Sequence, residues 1–278
     1  MKIINLIENT EGAAGCISAH GLSFYIETEK HRLLCDLGPS EDTLKNATLL
    51  GIDLRAVDTV ILSHGHYDHS GGIIPFAELN HTALIYMQKS AADGYYADDG
   101  ETADSGAADR YRYIGIDREI TKLPQVRFTD GDLVIDDELS LFVMDRCGRL
   151  PFTNVRLKRL ENGAYVQDDF RHEQFLVIRE KGRTVLMSGC AHNGILNIVG
   201  EYNRKYGSDP DVVISGFHLM KKTDYKDHQI REIKDTAEEL ARHDTLFYTC
   251  HCTGIPAYEI MKEIMGDKLR YVHSGDEI

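Results

Sequence analysis

The feature that most constrains this chain is a histidine-rich motif directly after an apolar run. Val57–Leu62 is rich in β-branched residues and predicts a buried strand, and the sequence HGHYDH follows it at positions 64–69. Side chains two residues apart on an extended chain point the same way, so His64 and His66 can bind one metal ion. The turn that follows directs Asp68 and His69 toward a second position close by.

The composition of this motif favours a metal centre over a packing role. Imidazoles at the end of a strand are costly to bury unless something uses their lone pairs. Imidazole and carboxylate groups are suitable ligands for zinc, manganese or iron. The motif therefore predicts a site for two divalent metal ions, with zinc as the first expectation and manganese or iron as alternatives.

Short apolar runs and helical periodicities along the chain predict an α/β fold. Strand and helix alternate in the second half, and the early strands lie within hairpin distance of one another. This order fits two sheets packed face to face with helices outside. The predicted strands are Lys2–Ile7, Leu22–Glu27, Arg32–Asp36, Val57–Ser63, Ala83–Met87, Leu141–Met144, Gln174–Ile178, Thr184–Ser188, Val212–Ser215 and Leu246–Thr249, and the predicted helices are Glu41–Leu50, Gly194–Tyr206, Gln229–Arg242 and Ala257–Met265.

A single domain over residues 1–278 is expected, since layered α/β domains often reach this length. One acidic, tyrosine-rich stretch at 90–124 breaks the alternation. It is interpreted as an insertion that covers the active site, with an ordinary surface excursion as the alternative.

The net charge of −14 works against binding of nucleic acid or of an anionic membrane. No apolar run reaches the roughly 18 residues that a membrane span needs, and the first nine residues predict a strand and not a signal peptide. We expect a cytoplasmic protein with a small anionic molecule as its partner, and the oligomeric state is left open. The cysteines do not form a disulfide framework and are expected to be reduced: Cys16, Cys35, Cys147, Cys190, Cys250 and Cys252.

The HxHxDH motif at 64–69 resembles the signature of the metallo-β-lactamase superfamily. Leu34–Gly38 is similar to a second element of that family, whose aspartate, here Asp36, supports the site from behind the ligands. Four further segments resemble one subfamily, whose members are often labelled 7,8-dihydropterin-6-yl-methyl-4-(β-D-ribofuranosyl)aminobenzene-5′-phosphate synthase: His20–Ser23, Ser188–Gly194, Ser215–Leu219 and Cys250–Gly254. The resemblance implies a four-layer αββα sandwich.

The resemblance also implies the remaining metal ligands. His251 occupies the place of the family's last histidine, and His192 lies in the subfamily's Gly-Cys-x-His element. His172 is the alternative to His192, because it lies 18 residues before Cys190, close to the family's usual spacing. Cys190 stands where many members have a metal-bridging aspartate, so its thiolate either binds metal or lines the site.

Two other histidines are candidates for catalysis. His218 follows a predicted strand at the same sheet edge, and His20 precedes one; either could protonate a leaving group. Asp68 would orient a metal-activated hydroxide. Helices predicted after His69, His192 and Gly254 would direct their N-termini toward the metals and favour an anionic substrate. The other histidines, including His31, His81, His228, His243 and His273, are expected on the surface or in packing.

The function predicted from these residues is metal-dependent hydrolysis of a small anionic substrate, a phosphate ester or a pterin-related compound. Two alternatives remain open on the same ligand set. A di-iron redox protein would use iron there, and a non-catalytic protein would hold a small ligand at the metals. A nuclease is disfavoured because the densest basic stretch, Arg156–Arg159, is short.

Overall fold

The computed structural model describes residues 1–100, 110–145 and 148–278. Cys147 and the central part of the predicted insertion lie outside these residues. Six strands form the first sheet, in the order β1 (Lys2–Ile7), β2 (Ser23–Glu27), β3 (Arg32–Cys35), β4 (Thr59–Ile61), β5 (Leu84–Gln88) and β8 (Val126–Thr129). The first three strands pair antiparallel, and the pairs from β3 to β8 are parallel.

The second large sheet is built from the other half of the chain. Its order is β17 (Leu269–Tyr271), β16 (Leu246–Thr249), β15 (Val212–Ser215), β14 (Arg183–Met187), β13 (Phe175–Glu180), β10 (Leu139–Phe142) and β9 (Leu133–Val134). The four strands from β14 to β17 are parallel. Their carboxyl ends therefore meet at one edge, where the connections to the helices lie.

Helices cover the outer face of each sheet. The first sheet is covered by α1 (Asp42–Leu49) and α3 (Ile73–Leu79), and α2 (Tyr67–Ser70) is a short helix at its edge. The second sheet is covered by α4 (Ile195–Tyr206), α5 (Asp227–Leu240) and α6 (Ile255–Met265). None of the helices in the described residues is long and apolar enough to cross a membrane.

Alternating side chains of the strands supply both sides of each sheet. In β3, Leu33 packs between the two sheets and Leu34 packs under the helices of the first sheet. In β14, Val185 and Met187 face the space between the sheets, and Leu186 packs against the helices of the second. This period of two is the reason why the strands are apolar on both faces. The predicted four-layer αββα sandwich is confirmed.

A third sheet, absent from the sequence-based expectation, joins two distant segments. Its antiparallel order is β12 (Ala164–Gln167), β11 (Leu157–Glu161), β6 (Tyr95–Asp98) and β7 (Tyr111–Tyr113). Tyr111 stacks on Tyr165 with ring centroids 3.9 Å apart. The stretch at 90–124 thus contributes two strands to a sheet that residues 157–167 complete; whether it is an insertion in a single domain stays a prediction.

Candidate metal centre

Histidines from three strand ends converge at the shared edge of the two large sheets. His64 and His66 follow β4, while Cys190 and His192 follow β14. His251 lies in a turn of 3₁₀ helix directly after β16. Parallel strands end at the same edge of a sheet, so residues far apart in sequence lie close together here.

The first cluster consists of His64, His66 and His192. Their ligand atoms all lie within 4.8 Å of one another, and the three side chains are buried. Each Nε2 atom is buried and has no hydrogen-bond partner among the residues that the structure describes. Buried polar atoms are almost always paired, so three converging lone pairs without partners fit a metal ion.

The second cluster is formed around the Asp68 carboxylate. Its Oδ2 atom lies 3.4 Å from Nε2 of His251, 3.4 Å from Nε2 of His20 and 3.8 Å from Nε2 of His69. Asp68 and His69 are placed by the short helix α2, whose first turn follows His66. One carboxylate and several imidazoles suit a second divalent ion.

Asp36 orients ligands of both clusters. Its carboxylate accepts hydrogen bonds from the Ser63 backbone N–H and hydroxyl at 2.7 Å each, and from His69 Nδ1 at 2.6 Å. Because the Ser63 hydroxyl donates to Asp36, it accepts from His64 Nδ1 at 2.8 Å. Such partners fix the ring so that Nε2 presents its lone pair to a metal. Asp36 itself has a φ of 62°, a left-handed conformation typical of functional turns.

His192 is held by an asparagine and a buried glutamate. The Asn154 side-chain oxygen is 3.3 Å from His192 Nδ1, and the same amide donates to the His192 carbonyl at 2.6 Å. The His192 backbone N–H donates to Glu173 at 2.7 Å. Phe170 stacks on the imidazole with an angle of 7° between the rings. These contacts fix the ring on three sides.

His251 is held in the same way by different residues. The Asn9 side-chain oxygen accepts from His251 Nδ1 at 2.8 Å, and its amide donates to the His251 carbonyl at 3.3 Å. The His251 backbone N–H donates to Glu8 at 2.9 Å. The arrangement of one asparagine and one glutamate per histidine is therefore repeated at the two clusters. Sequence reasoning missed all four supporting residues, because no local pattern distinguishes them from other polar residues.

His172, the alternative to His192, has both ring nitrogens occupied. The backbone N–H of Gly65 donates to Nδ1 at 3.0 Å, and Nε2 lies 3.1 Å from Asp168 Oδ2. The ring lies 5.1 Å from that of His66. His172 is therefore placed to position the loop that contains His66, and His192 has the unpartnered nitrogen that a ligand requires.

Cys190 lies between the clusters, beside a second buried thiol. Its Sγ atom is 3.2 Å from His69 Nε2, and its ligand atom groups both with His64 and His69 and with His218 and Cys252. Burial raises the pKa of Cys190; burial opposes ionisation of Cys252 as well, but contacts with Cys190 and His218 lower the pKa of that thiol. Among the described cysteines, none forms a disulfide.

The two proposed proton donors lie at different depths. His218 has a φ of 49°, and its ring centroid is 4.1 Å from that of His192; its buried Nδ1 has no partner among the described residues. His20 lies at the mouth with a side chain that is 50% exposed. Burial and the neighbouring His251 lower the pKa of His20.

The electrostatics of the first cluster favour neutral imidazoles. Burial, together with the surrounding histidines, lowers the pKa of His64 and His192 well below the usual value, and that of His66 to about 3. Burial opposes the charge of Asp68, yet His69 and His251 outweigh it and hold its pKa below the usual range. A neutral imidazole and a carboxylate are the protonation states that bind metal. The first cluster and Asp68 therefore have protonation states that fit metal binding. At His69, in contrast, burial opposes the charge, but the carboxylates of Asp36 and Asp68 outweigh burial and raise the pKa to about 9.

A cavity of about 470 Å³ opens onto these residues. It is lined by site residues, among them Asp68, His192 and His218, and by Ala97 and Arg112 of the third sheet. A volume of this size suits a small organic substrate. Outside the site, His31 and His243 pair with surface carboxylates, as expected for histidines without a ligand role.

Comparisons with known proteins agree on one family. The sequence model of the metallo-β-lactamase superfamily matches residues 19–145. A 7,8-dihydropterin-6-methyl-4-(β-D-ribofuranosyl)-aminobenzene-5′-phosphate synthase of Methanocaldococcus jannaschii is 29% identical over 99% of this chain and 95% of its own. A solved metal-dependent hydrolase of the β-lactamase superfamily is 30% identical, with a TM-score of 0.81 over 100% of this chain and 98% of its own. Zinc-bound PqqB from Methylobacterium extorquens, at 12% identity and a TM-score of 0.58, covers 100% of this chain and 99% of its own and shares the fold alone.

Proposed function

This chain belongs to the metallo-β-lactamase superfamily, and on that premise we propose that it is a metal-dependent hydrolase of a small anionic substrate. The observation that supports this best is the set of buried Nε2 atoms of His64, His66, His192 and His251, which form no hydrogen bond within the described residues. The 29% identical synthase forms, by its name, a phosphorylated pterin compound, and we extend that class of ligand to this chain.

The residues divide into two ligand sets. His64, His66 and His192 would hold one divalent ion. Asp68, with His251 and His69 at 3.4 and 3.8 Å from its Oδ2 atom, would hold the other, and Cys190 lies beside His69. Zinc is the proposed metal, with manganese or iron as alternatives. Held by these residues, two divalent ions would supply a hydroxide nucleophile at neutral pH, because they would lower the pKa of a water molecule.

The protein's own residues then orient the nucleophile and complete the proton transfers. The Asp68 carboxylate accepts a hydrogen bond from the nucleophile and so directs it toward the substrate. His218, beside His192 on the cavity wall, donates a proton to the leaving group, and His20 at the mouth is the second candidate for this role. The N-termini of α4 and α6 follow His192 and His251 in the chain, and helix N-termini favour negative charge at this edge.

Metal analysis and turnover test this function together. We expect the purified protein to contain about two metal equivalents and to cleave bis(4-nitrophenyl) phosphate only when zinc, manganese or iron is present. Metal without hydrolysis of any ester, together with an iron-dependent visible spectrum, would favour the redox alternative. Tight retention of a small molecule without turnover would favour the binding protein. A protein that loads no metal would contradict the proposal outright.

The expectations of a cytoplasmic location and of no nucleic-acid or membrane partner stay predictions.

A further inference from the structure

Positive charge is concentrated at the cavity of a strongly acidic chain. Arg112, Arg156, Lys221 and Lys222 line the same 470 Å³ cavity as the site histidines, although the net charge of the chain is −14. We call these four residues the basic rim. A cation of the basic rim that is already paired with a carboxylate has a structural role, and one without such a pair is available to a ligand.

Lys221 is a half-buried ammonium group without a carboxylate. Its Nζ donates to the carbonyl of Asp224 at 3.1 Å and to the side-chain oxygen of Gln229 at 2.8 Å, both neutral acceptors. Within the described parts of the chain, no carboxylate oxygen lies within 4.0 Å of it. By contrast, the half-buried Lys205 has three carboxylates within that distance. A cation that is partly removed from water and has no carboxylate nearby favours the binding of an anion.

Two other members of the basic rim are also uncompensated. The Arg156 Nε donates to the carbonyl of Asp98 at 2.6 Å, and its guanidinium forms no ion pair with a described residue. Lys222 is exposed and likewise has no ion pair in the described residues. Arg112, in contrast, pairs with Asp99 at 2.9 Å and is largely neutralised. Three cations are therefore available to a ligand in this cavity.

Apolar side chains occupy the cavity wall beside these cations. Tyr67, Val155 and Met220 line the cavity and are among the exposed large hydrophobic residues of the chain, with 39%, 67% and 37% exposure. Phe152 lies on the same wall. An exposed apolar patch at a cavity favours binding of the organic body of a ligand.

We propose that Lys221, Lys222 and Arg156 bind a phosphomonoester group of the substrate that is distinct from the group hydrolysed at the metals. The apolar side chains of the cavity wall contact the organic part of the substrate, which lies between this phosphate group and the group that is hydrolysed. This inference rests on the proposed function for its reaction but not for its binding site. A phosphate dianion would neutralise two of these three cations, whereas one carboxylate would neutralise a single one of them.

Direct binding of two probes to the metal-loaded protein tests this site. Phenyl phosphate is a dianion at pH 8, and phenyl methylphosphonate has a similar shape with one charge. By titration calorimetry, we expect Lys221→Met to weaken the binding of phenyl phosphate about tenfold, or about 1.4 kcal/mol. The binding of phenyl methylphosphonate should be weakened by clearly less. Lys222→Gln removes no hydrogen bond or ion pair between described residues and should weaken the binding of phenyl phosphate about threefold. The control Lys181→Met alters a lysine paired with Glu29 on a distant turn and should change neither affinity.

A variant that lacks metal ligands tests whether phenyl phosphate binds at the basic rim or at the metals. In a His64→Ala/His66→Ala protein, phenyl phosphate should still bind, and its affinity should still depend on Lys221. Binding that disappears with the metals and is equal in the wild type, Lys221→Met and Lys222→Gln would overturn the inference, even in an active hydrolase. If no ester is hydrolysed while binding depends on Lys221 and Lys222, the proposed reaction fails and the phosphate site stands.

Discussion

At the residue scale, three histidines of the candidate centre use one ring nitrogen to contact the protein and leave the other without a hydrogen bond among the described residues. His64, His192 and His251 each engage Nδ1 with a neighbouring side chain and leave Nε2 buried without a partner among the described residues. The supporting bond fixes the tautomer, so the inward nitrogen has a lone pair. Removing a ring and removing its support should therefore have different effects.

Removing a ring should remove metal and activity together. We expect His64→Ala to lose about one metal equivalent and to lower turnover of bis(4-nitrophenyl) phosphate by more than about 100-fold, beyond the usual effect of altering a supporting residue. Elemental analysis and initial rates on the same samples measure both. His81→Ala changes an exposed histidine and should leave both values as in the wild type. Full activity in a His64→Ala protein without metal would falsify the assigned ligand set.

Removing a support should weaken metal binding without abolishing it. Asn154→Ala eliminates the hydrogen-bond acceptor of His192 Nδ1 and the donor to its carbonyl. Zinc affinity should fall about 10- to 100-fold, because the ring is free to rotate, while saturating zinc restores much of the activity. Chelator competition gives the dissociation constant. The comparison is Asn203→Ala, whose amide binds Asp209 away from the site. Equal zinc affinity in the two variants would show that Asn154 does not orient His192.

At the element scale, tight turns after the strands place the ligands. Asp36, Ala191, His218 and His251 all have positive φ, between 49° and 62°, and each follows a strand that ends at the site. Such conformations cost free energy and persist where the surroundings hold them. At two of these turns a backbone N–H group donates to a buried carboxylate, that of His192 to Glu173 and that of His251 to Glu8.

The packing of α2 against the loop at Pro39 gives a test at this scale. A Cβ atom at Gly71 would lie 2.0 Å from the carbonyl oxygen of Pro39, a backbone atom that has little room to move. Gly71→Ala should lower the free energy of unfolding by about 1–3 kcal/mol and reduce metal content, since α2 contains Asp68 and His69.

At a second glycine, the same substitution should change the free energy of unfolding in the opposite direction. Gly200 lies within α4, and a Cβ there would meet nothing within 4 Å. Gly200→Ala should raise the free energy of unfolding by about 0.5–1 kcal/mol, because alanine loses less backbone entropy in a helix. Urea unfolding of both variants measures the contrast. If both changed stability by the same amount, the close approach of Gly71 to Pro39 would not constrain the turn.

At the scale of the whole molecule, His31 connects the two large sheets. Its Nδ1 lies 2.8 Å from Asp58, before β4, and its Nε2 lies 2.6 Å from Asp136, between β9 and β10. Burial opposes its charge, but the bonds to Asp58 and Asp136 outweigh it and raise its pKa above 6.5. The protonated ring thus bridges one carboxylate on each sheet.

This bridge makes stability depend on pH in a definite direction. A pKa raised in the folded state stabilises the protein fully below the unfolded value, and the contribution is lost as the pH rises through the folded pKa. At pH 5.5, His31→Gln should lower the free energy of unfolding by about 1 kcal/mol, a value reduced for partial solvent contact. The difference from the wild type should shrink above pH 7. Urea unfolding from pH 5.5 to 8.5 measures it, with His81→Gln as the control; a difference that grows with pH would contradict the bridge.

The sequence was sufficient for features that depend on neighbours in the chain. Strands such as Lys2–Ile7 and Val212–Ser215 were located to the residue, because an apolar run bounded by polar residues is a local pattern. The candidate ligands His64, His66, Asp68 and His69 could be proposed together, since a strand end and one turn bring six residues to a single place. The assignment of His192 and His251 as ligands needed the resemblance to a family.

Only the tertiary structure revealed what depends on distant pairing. Strands β6 and β11 meet across about sixty residues, and no local periodicity distinguishes Tyr95–Asp98 as a strand that needs such a partner. Glu8 reaches His251 across 243 positions, and Lys221 faces the same cavity as His66 because their strands end at one edge. Periodicity encodes which face of an element is buried. Which elements share an edge is decided by the packing of whole sheets, and that packing selects the partner of each nitrogen and the charge around the cavity.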